Sequence, residues 1–178
     1  MLKRIMFTFL TLLVIYSGVI VGYKIFEPEN AEEIADSAMT SSSLDYDTLK
    51  DYTLNSGASA IHYYFFGSSK TNDSLYVMNT VLRSVNRDTS VDLSTLIEYV
   101  DISSLEDTGT TQRLKDDWTV STYPAFVACQ VQDGQIVILN KLEWNANSPM
   151  SEDNIIQWLV ENGLYDGSTP DLIATPSA

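Results

Sequence analysis

Residues 113–128 read RLKDDWTVSTYPAFVA, and the change of character inside this stretch decides how the rest of the chain is parsed. Residues 110–117 suit a short helix, and after Trp118 the apolar run AFVACQV (125–131), led by Pro124, suits a buried strand. Beyond it, Gln132-Asp133-Gly134 separates that run from QIVILNKLEW (135–144), so the two strands form an antiparallel hairpin about an Asp-Gly turn. Residues 145–149 form a loop. Ser151 then caps a helix through Glu161 that turns Ile155, Ile156, Leu159 and Val160 inward, with Gly163 where it stops.

In the other direction, TLIEYVDI (95–102) reads as a strand, and residues 73–87 set Leu75, Met78, Val81, Leu82 and Val85 on one helix face. Before these, AIHYYFF (60–66) is apolar at nearly every position, which marks a strand covered on both faces at the centre of a sheet. Leu44–Asn55 makes a short helix with Leu44, Leu49, Tyr52 and Leu54 apolar, ended by Gly57. The order β-α-β-α favours a parallel pair with a right-handed crossover, and the hairpin and last helix complete a mixed α/β sheet.

This order resembles the thioredoxin-like superfamily over residues 45–165. The stretch 113–128 is similar to the family segment in which a helix leads through a loop to a tyrosine- or isoleucine-proline pair opening the third strand. The Asp133-Gly134 turn and Tyr99-Val100-Asp101 agree with it, and the strand ending Tyr64-Phe65-Phe66-Gly67 is similar to thioredoxin-like accessory proteins of bacterial peptide export. The resemblance implies an α/β/α sandwich with a mixed central sheet and a cis Tyr123-Pro124 bond before the third strand. Another α/β sandwich is the alternative. The resemblance also implies C-x-x-C at the start of the first helix of the fold, where the helix dipole lowers a thiol pKa. In this chain the stretch is Ser68-Ser69-Lys70-Thr71-Asn72-Asp73-Ser74, with Thr71 and Ser74 in the two cysteine positions. Hydroxyls form no disulfide. The family's buried carboxylate falls at Phe65, and residues 60–72 contain no Asp or Glu. Intramolecular dithiol chemistry is thereby excluded.

Ahead of the domain, residues 5–23 (IMFTFLTLLVIYSGVIVGY) carry no charge over 19 positions, enough helix to cross a hydrocarbon core about 30 Å thick. Lys3 and Arg4 precede the run, so the positive-inside bias sends the remainder outward. A cleaved signal peptide is the alternative, although the run exceeds the roughly 7–15 residues of such an h-region. The expected organisation is a cytoplasmic stub (1–4), a transmembrane signal-anchor (5–23), an acidic, Ser-rich linker (24–43), a thioredoxin-like domain (44–165) and a flexible tail (166–178). The expected location is a bacterial cell membrane, single-pass, with the domain on the extracytoplasmic side. Gly18 and Gly22 make a G-x-x-x-G spacing, a common feature of membrane helices.

The formal net charge is −14, and from Ile25 onward seven Lys/Arg face 24 Asp/Glu. Such a surface repels phosphate backbones, so nucleic acid is not an expected partner. Cys129 alternates with Val127 and Val131 and reads as a small buried hydrophobe; being lone, it makes no internal bridge. His62 lies in an apolar strand without ligands at metal spacing and reads as a core or edge histidine. A Ser-His-Asp hydrolase of the G-x-S-x-G type is not indicated, and Gly67-Ser68-Ser69-Lys70 lacks the rest of a phosphate loop. Glu98, Asp101, Asp116 and Asp117, and Asn72-Asp73 with Asp133, fit no calcium loop and read as solvated or capping residues.

These readings converge on a domain without cofactor, metal or catalytic residue that holds an exported polypeptide or a membrane protein. The resemblance places the binding groove at Ser69, Lys70, Thr71, Ser74, Thr122, Tyr123 and Pro124, with Lys70 an isolated cation. The alternative is a thiol-disulfide exchange or redox-relay protein working through Cys129 with a partner.

Overall fold

The computed structural model describes residues 39, 43–57 and 60–167. The anchor at 5–23, the stub before it, most of the linker and residues 168–178 lie outside these. The described chain runs β1 (Leu44–Asp45), α1 (Tyr46–Asn55), β2 (Ile61–Gly67), α2 (Asn72–Tyr76), a π-helical turn (Val77–Val81), α3 (Leu82–Thr89), α4 (Leu93–Leu96), β3 (Glu98–Asp101), α5 (Ser103–Asp107), α6 (Gln112–Trp118), β4 (Ala125–Gln132), β5 (Gln135–Glu143) and α7 (Glu152–Glu161). The strands form one sheet in the order β1-β3-β2-β4-β5. β1, β3 and β2 run parallel, whereas β4 is antiparallel to both β2 and β5.

β2 occupies the centre, as its apolar run requires, and its side chains alternate between two cores. Phe65 packs with Val77, Met78, Leu82, Phe126, Ile155 and Trp158 on one face. Tyr64 and Phe66 pack with Tyr46, Leu49, Leu114, Trp118 and Val127 on the other. Helices therefore cover both faces, giving the three layers of a thioredoxin-like α/β/α sandwich. Each fully buried aromatic contributes roughly 1.5–3 kcal/mol of transfer free energy. The hairpin turn places Asp133 at φ 51 and Gly134 at φ 74, the two positive values that a tight Asp-Gly turn needs. The Tyr123-Pro124 peptide is cis, as the resemblance implies.

Several local expectations change. Leu44 and Asp45 are not helical but pair with Val100 and Asp101, because the Asp45 side chain accepts the Asp47 N–H and starts α1 one residue later. This added edge strand makes the strand after Pro124 the fourth rather than the third. Residues 95–102 are not strand throughout: Asp92 caps a turn of helix by accepting the Ser94 N–H, and β3 begins at Glu98. The helical stretch 73–87 extends to Thr89 and contains the π turn, in which Val77, Met78 and Val81 are buried in the core. The helix expected at 110–117 is preceded by a separate α5, nucleated where Asp101 Oδ1 accepts the Ser103 N–H at 2.9 Å. In α7 Ile155, Trp158 and Leu159 are buried and Ile156 packs half-buried against the same core, while Val160 is 44% exposed. Ser151 and Asn154 cap that helix reciprocally. Met39, within the stretch read as linker, is buried in the first core.

Candidate functional site

The parallel strands β2 and β3 end side by side at Gly67 and Asp101, and the chain leaving each turns into a helix. Thr71 is the N-cap position of α2, and its hydroxyl donates to Ser74 Oγ at 2.8 Å. Ser74, fully buried, also accepts the Ser68 N–H at 3.0 Å. The two residues at which the resemblance implies cysteines are thus joined by a hydrogen bond.

From this pair the polar contacts run inward. Ser68 Oγ donates to Glu106 Oε2 at 2.5 Å and lies 3.1 Å from Ser103 Oγ, which is also 3.1 Å from Ser69 Oγ. Ser103 Oγ donates to Asp101 Oδ1 at 2.6 Å, and the Lys70 N–H donates to Ser68 Oγ at 3.1 Å. Buried hydroxyls without partners cost about 1–3 kcal/mol each, so this mutual satisfaction is what lets a serine-rich loop sit against the sheet. Glu106 Oε1 is buried without a hydrogen bond. The same carboxylate interacts with Tyr123, whose phenol is pushed up by burial and then by Glu106.

The structure therefore links Ser69, Thr71, Ser74 and Tyr123 through Ser68, Ser103 and Glu106. Pro124 is buried, and Thr122 is exposed with its hydroxyl donating to the Trp144 carbonyl at 2.6 Å. Lys70 is not an isolated cation. Its ammonium donates to both oxygens of Asp107 at 2.6 Å, although that pair is half in solvent. Beside Thr122 an open hollow of about 610 Å³ is lined by Ser121, Thr122, Glu143, Trp144, Asn145 and Ala146. Trp144, whose backbone N–H donates to the Pro124 carbonyl at 3.0 Å and whose ring meets Tyr76 edge-on at 6.3 Å, extends this surface.

Sequence reasoning missed Ser68, Ser103, Glu106 and Trp144. The Asp101-Ile102-Ser103 spacing, an aspartate two residues before a helix-starting serine, was the available signal for the first turn of α5. Phe65 sits in the core as expected, and the carboxylate beneath the loops comes instead from α5.

Cys129 is fully buried in the second core, opposite His62 on β2 and Ile138 on β5. Burial first, and the Glu98 charge second, push its thiol up to about 12. The acidic residues separate: Asp117 accepts from Tyr46 and pairs with Lys50, Asp116 accepts from Gln112, and Asp133 lies in the hairpin turn.

No family model matches the chain, and no curated protein matches it. Among solved structures it is similar to a thioredoxin of Plasmodium falciparum, at 12% identity and TM-score 0.39, covering 71% of this chain and 92% of that one. It is also similar to a thioredoxin of Trichomonas vaginalis, at 14% identity and TM-score 0.40, covering 68% and 94%. Strand order, layering and the helix-to-proline connection are this chain's own marks of the fold. It is a thioredoxin-like fold in which a hydrogen-bonded Thr71–Ser74 pair stands where the resemblance implies two cysteines.

Proposed function

We propose that residues 5–23 hold the chain at the outer face of a bacterial cytoplasmic membrane. There the domain works as a redox-inactive module that grips an extended segment of an exported polypeptide or membrane protein. The observation that carries this reading is the Thr71–Ser74 hydroxyl pair, which closes the loop by hydrogen bonding and leaves no sulfur to exchange. Strand-like backbone contact at Thr122 and Tyr123 needs no thiol. Tyr123, half-buried beside the Glu106 carboxylate, is held at the edge of this loop. Trp144 and Tyr76 supply aromatic area next to the same loop.

The test is photocrosslinking in native membranes from a benzoylphenylalanine placed at Thr122 of the full chain, with mass spectrometry of the captured species. A captured polypeptide that is lost in Tyr123→Ala and kept in Cys129→Ser supports the reading. Capture unchanged by Tyr123→Ala, together with insulin reduction that vanishes in Cys129→Ser, overturns it in favour of exchange through the single thiol.

A further inference from the structure

At the end of β2 remote from the groove, three residues meet. His62 Nε2 lies 2.5 Å from Ser56 Oγ, and His62 Nδ1 lies 3.3 Å from Glu98 Oε2. One imidazole thus bridges a hydroxyl and a carboxylate. The ring is fixed from two sides: Tyr64 stacks on it at 5.6 Å and 15°, and Tyr52 meets it edge-on at 5.8 Å. Its side chain is 10% exposed. Glu98 is fixed in turn, because the Tyr52 hydroxyl donates to Oε1 at 2.6 Å and leaves Oε2 for His62. Ser56 is exposed at the C-cap of α1, and the Gly57 N–H that follows makes no hydrogen bond among the described residues.

We propose that Ser56, His62 and Glu98 form an acyl-transfer site that hydrolyses small carboxylic esters, with Ser56 as nucleophile, His62 as base and Glu98 as the positioning residue. Such a constellation is recognised by geometry and roles, whatever the order of its members, so it needs no G-x-S-x-G turn. In the tautomer that donates Nδ1–H to Glu98, Nε2 is free to accept the hydroxyl proton. The Ser56 hydroxyl also lies 2.6 Å from the Thr53 carbonyl, so its one proton has two acceptors, and reaction starts from the arrangement that gives it to His62.

Ser56 Oγ then bonds to the ester carbonyl carbon while its proton passes to His62 Nε2. The Gly57 N–H stands next to the nucleophile as the donor for the carbonyl oxygen as it becomes negative. When the C–O bond to the alcohol breaks, the alcohol leaves with the proton from His62. Water attacks the acyl-serine and gives its proton to His62. That proton returns to Ser56 Oγ as the carboxylic acid departs. The balance is ester plus water to acid plus alcohol. The exposed Tyr52 ring beside the site suits a short apolar acyl group, and the Glu98 charge disfavours an acidic one.

The full chain, purified in detergent, is treated with a fluorophosphonate probe and assayed with p-nitrophenyl acetate. Phosphonylation should map to Ser56, disappear in Ser56→Ala, and slow about a hundredfold or more in His62→Gln. Glu98→Gln should lower kcat while leaving KM and the melting temperature in place. Wild-type protein left unlabelled at Ser56, or ester hydrolysis equal in wild type and in a Ser56→Ala variant that melts normally, overturns the proposal. Because Ser56 is exposed, its alanine variant folds and keeps the test decisive. None of these residues belongs to the groove, so partner capture is unaffected in either case.

Discussion

The two ends of β2 solve opposite problems with the same kinds of side chain. At the Gly67 end, serines and a glutamate are turned inward: Ser68 and Ser74 are fully buried, Ser68 gives its hydroxyl proton to Glu106, and Ser74 Oγ accepts from the Ser68 N–H and the Thr71 hydroxyl. At the His62 end, a serine and a glutamate flank an imidazole, and the serine reaches solvent. The first arrangement makes a hydrogen-bonded floor under the candidate groove. The second keeps a proton acceptor beside an accessible hydroxyl. Polar residue type is the same at the two ends; exposure and the direction of proton donation are what differ.

Removing the packing that both ends share should have the largest effect. Trp118 packs on Tyr64 and Phe66 at 5.5 Å each, so Trp118→Ala should cost about 3–5 kcal/mol in urea unfolding and disturb both ends together. A smaller effect separates the ends. Ser74→Ala leaves the buried Ser68 N–H without its acceptor and should cost about 1–3 kcal/mol, whereas Ser56→Ala at the open end should stay within about 0.5 kcal/mol. The double substitution Thr71→Cys with Ser74→Cys, at positions whose hydroxyl oxygens are 2.8 Å apart, should form an internal disulfide on oxidation, read by mass spectrometry after alkylation. Failure to form it would show that the loop does not hold the geometry that the hydrogen bond implies.

Cys129 sharpens the comparison from within the core. Its thiol sits at about 12 against an ordinary 9.0, because burial and then Glu98 oppose the thiolate. The folded chain keeps that proton in a window where the unfolded chain loses it. The contribution is therefore present below about pH 9 and lost as pH rises toward 12, and stability falls through that window. Urea midpoints against pH should decline there, and Cys129→Ala should flatten part of the slope. Native Cys129 should resist alkylation at neutral pH and react once the chain is unfolded. The smallest effect belongs to Lys70→Gln: the Lys70–Asp107 pair is 51% and 62% exposed, so its loss should change stability by at most about 1 kcal/mol and less at high salt.

Much of the fold was legible because its signals are local. The covered strand at 60–66, the Asp-Gly hairpin and the capped last helix each follow from residues within one window. β1 was not legible, since two residues carry no periodicity and Leu44–Asp45 become strand only by lying beside Val100 and Asp101. Leu93–Leu96 was hidden for the converse reason: TLIEYVDI reads as one apolar run, and the turn comes from Asp92 just outside it. At the candidate groove, Thr71, Ser74, Tyr123 and Pro124 were named from the family pattern, but Glu106 was not. A single glutamate in a polar loop looks solvated until Ser68, 38 residues away, is folded onto it. Glu98 is non-local in the same way, 36 residues from His62, whereas Ser56 lies only 6 residues from it.

The π turn at Val77–Val81 carries a consequence for how this chain can change length. A π turn holds one residue more than the α-helix around it needs, and within it Asn79 Oδ1 is buried without a hydrogen bond. Helices ordinarily tolerate no deletion, because dropping one residue rotates everything beyond it by roughly 100°. Between Asn72 and Thr89 the chain carries one residue that ordinary α winding does not use, so this segment is the place in the helix where excising a residue such as Asn79 can be absorbed by a change of winding instead of a rotation of everything beyond it.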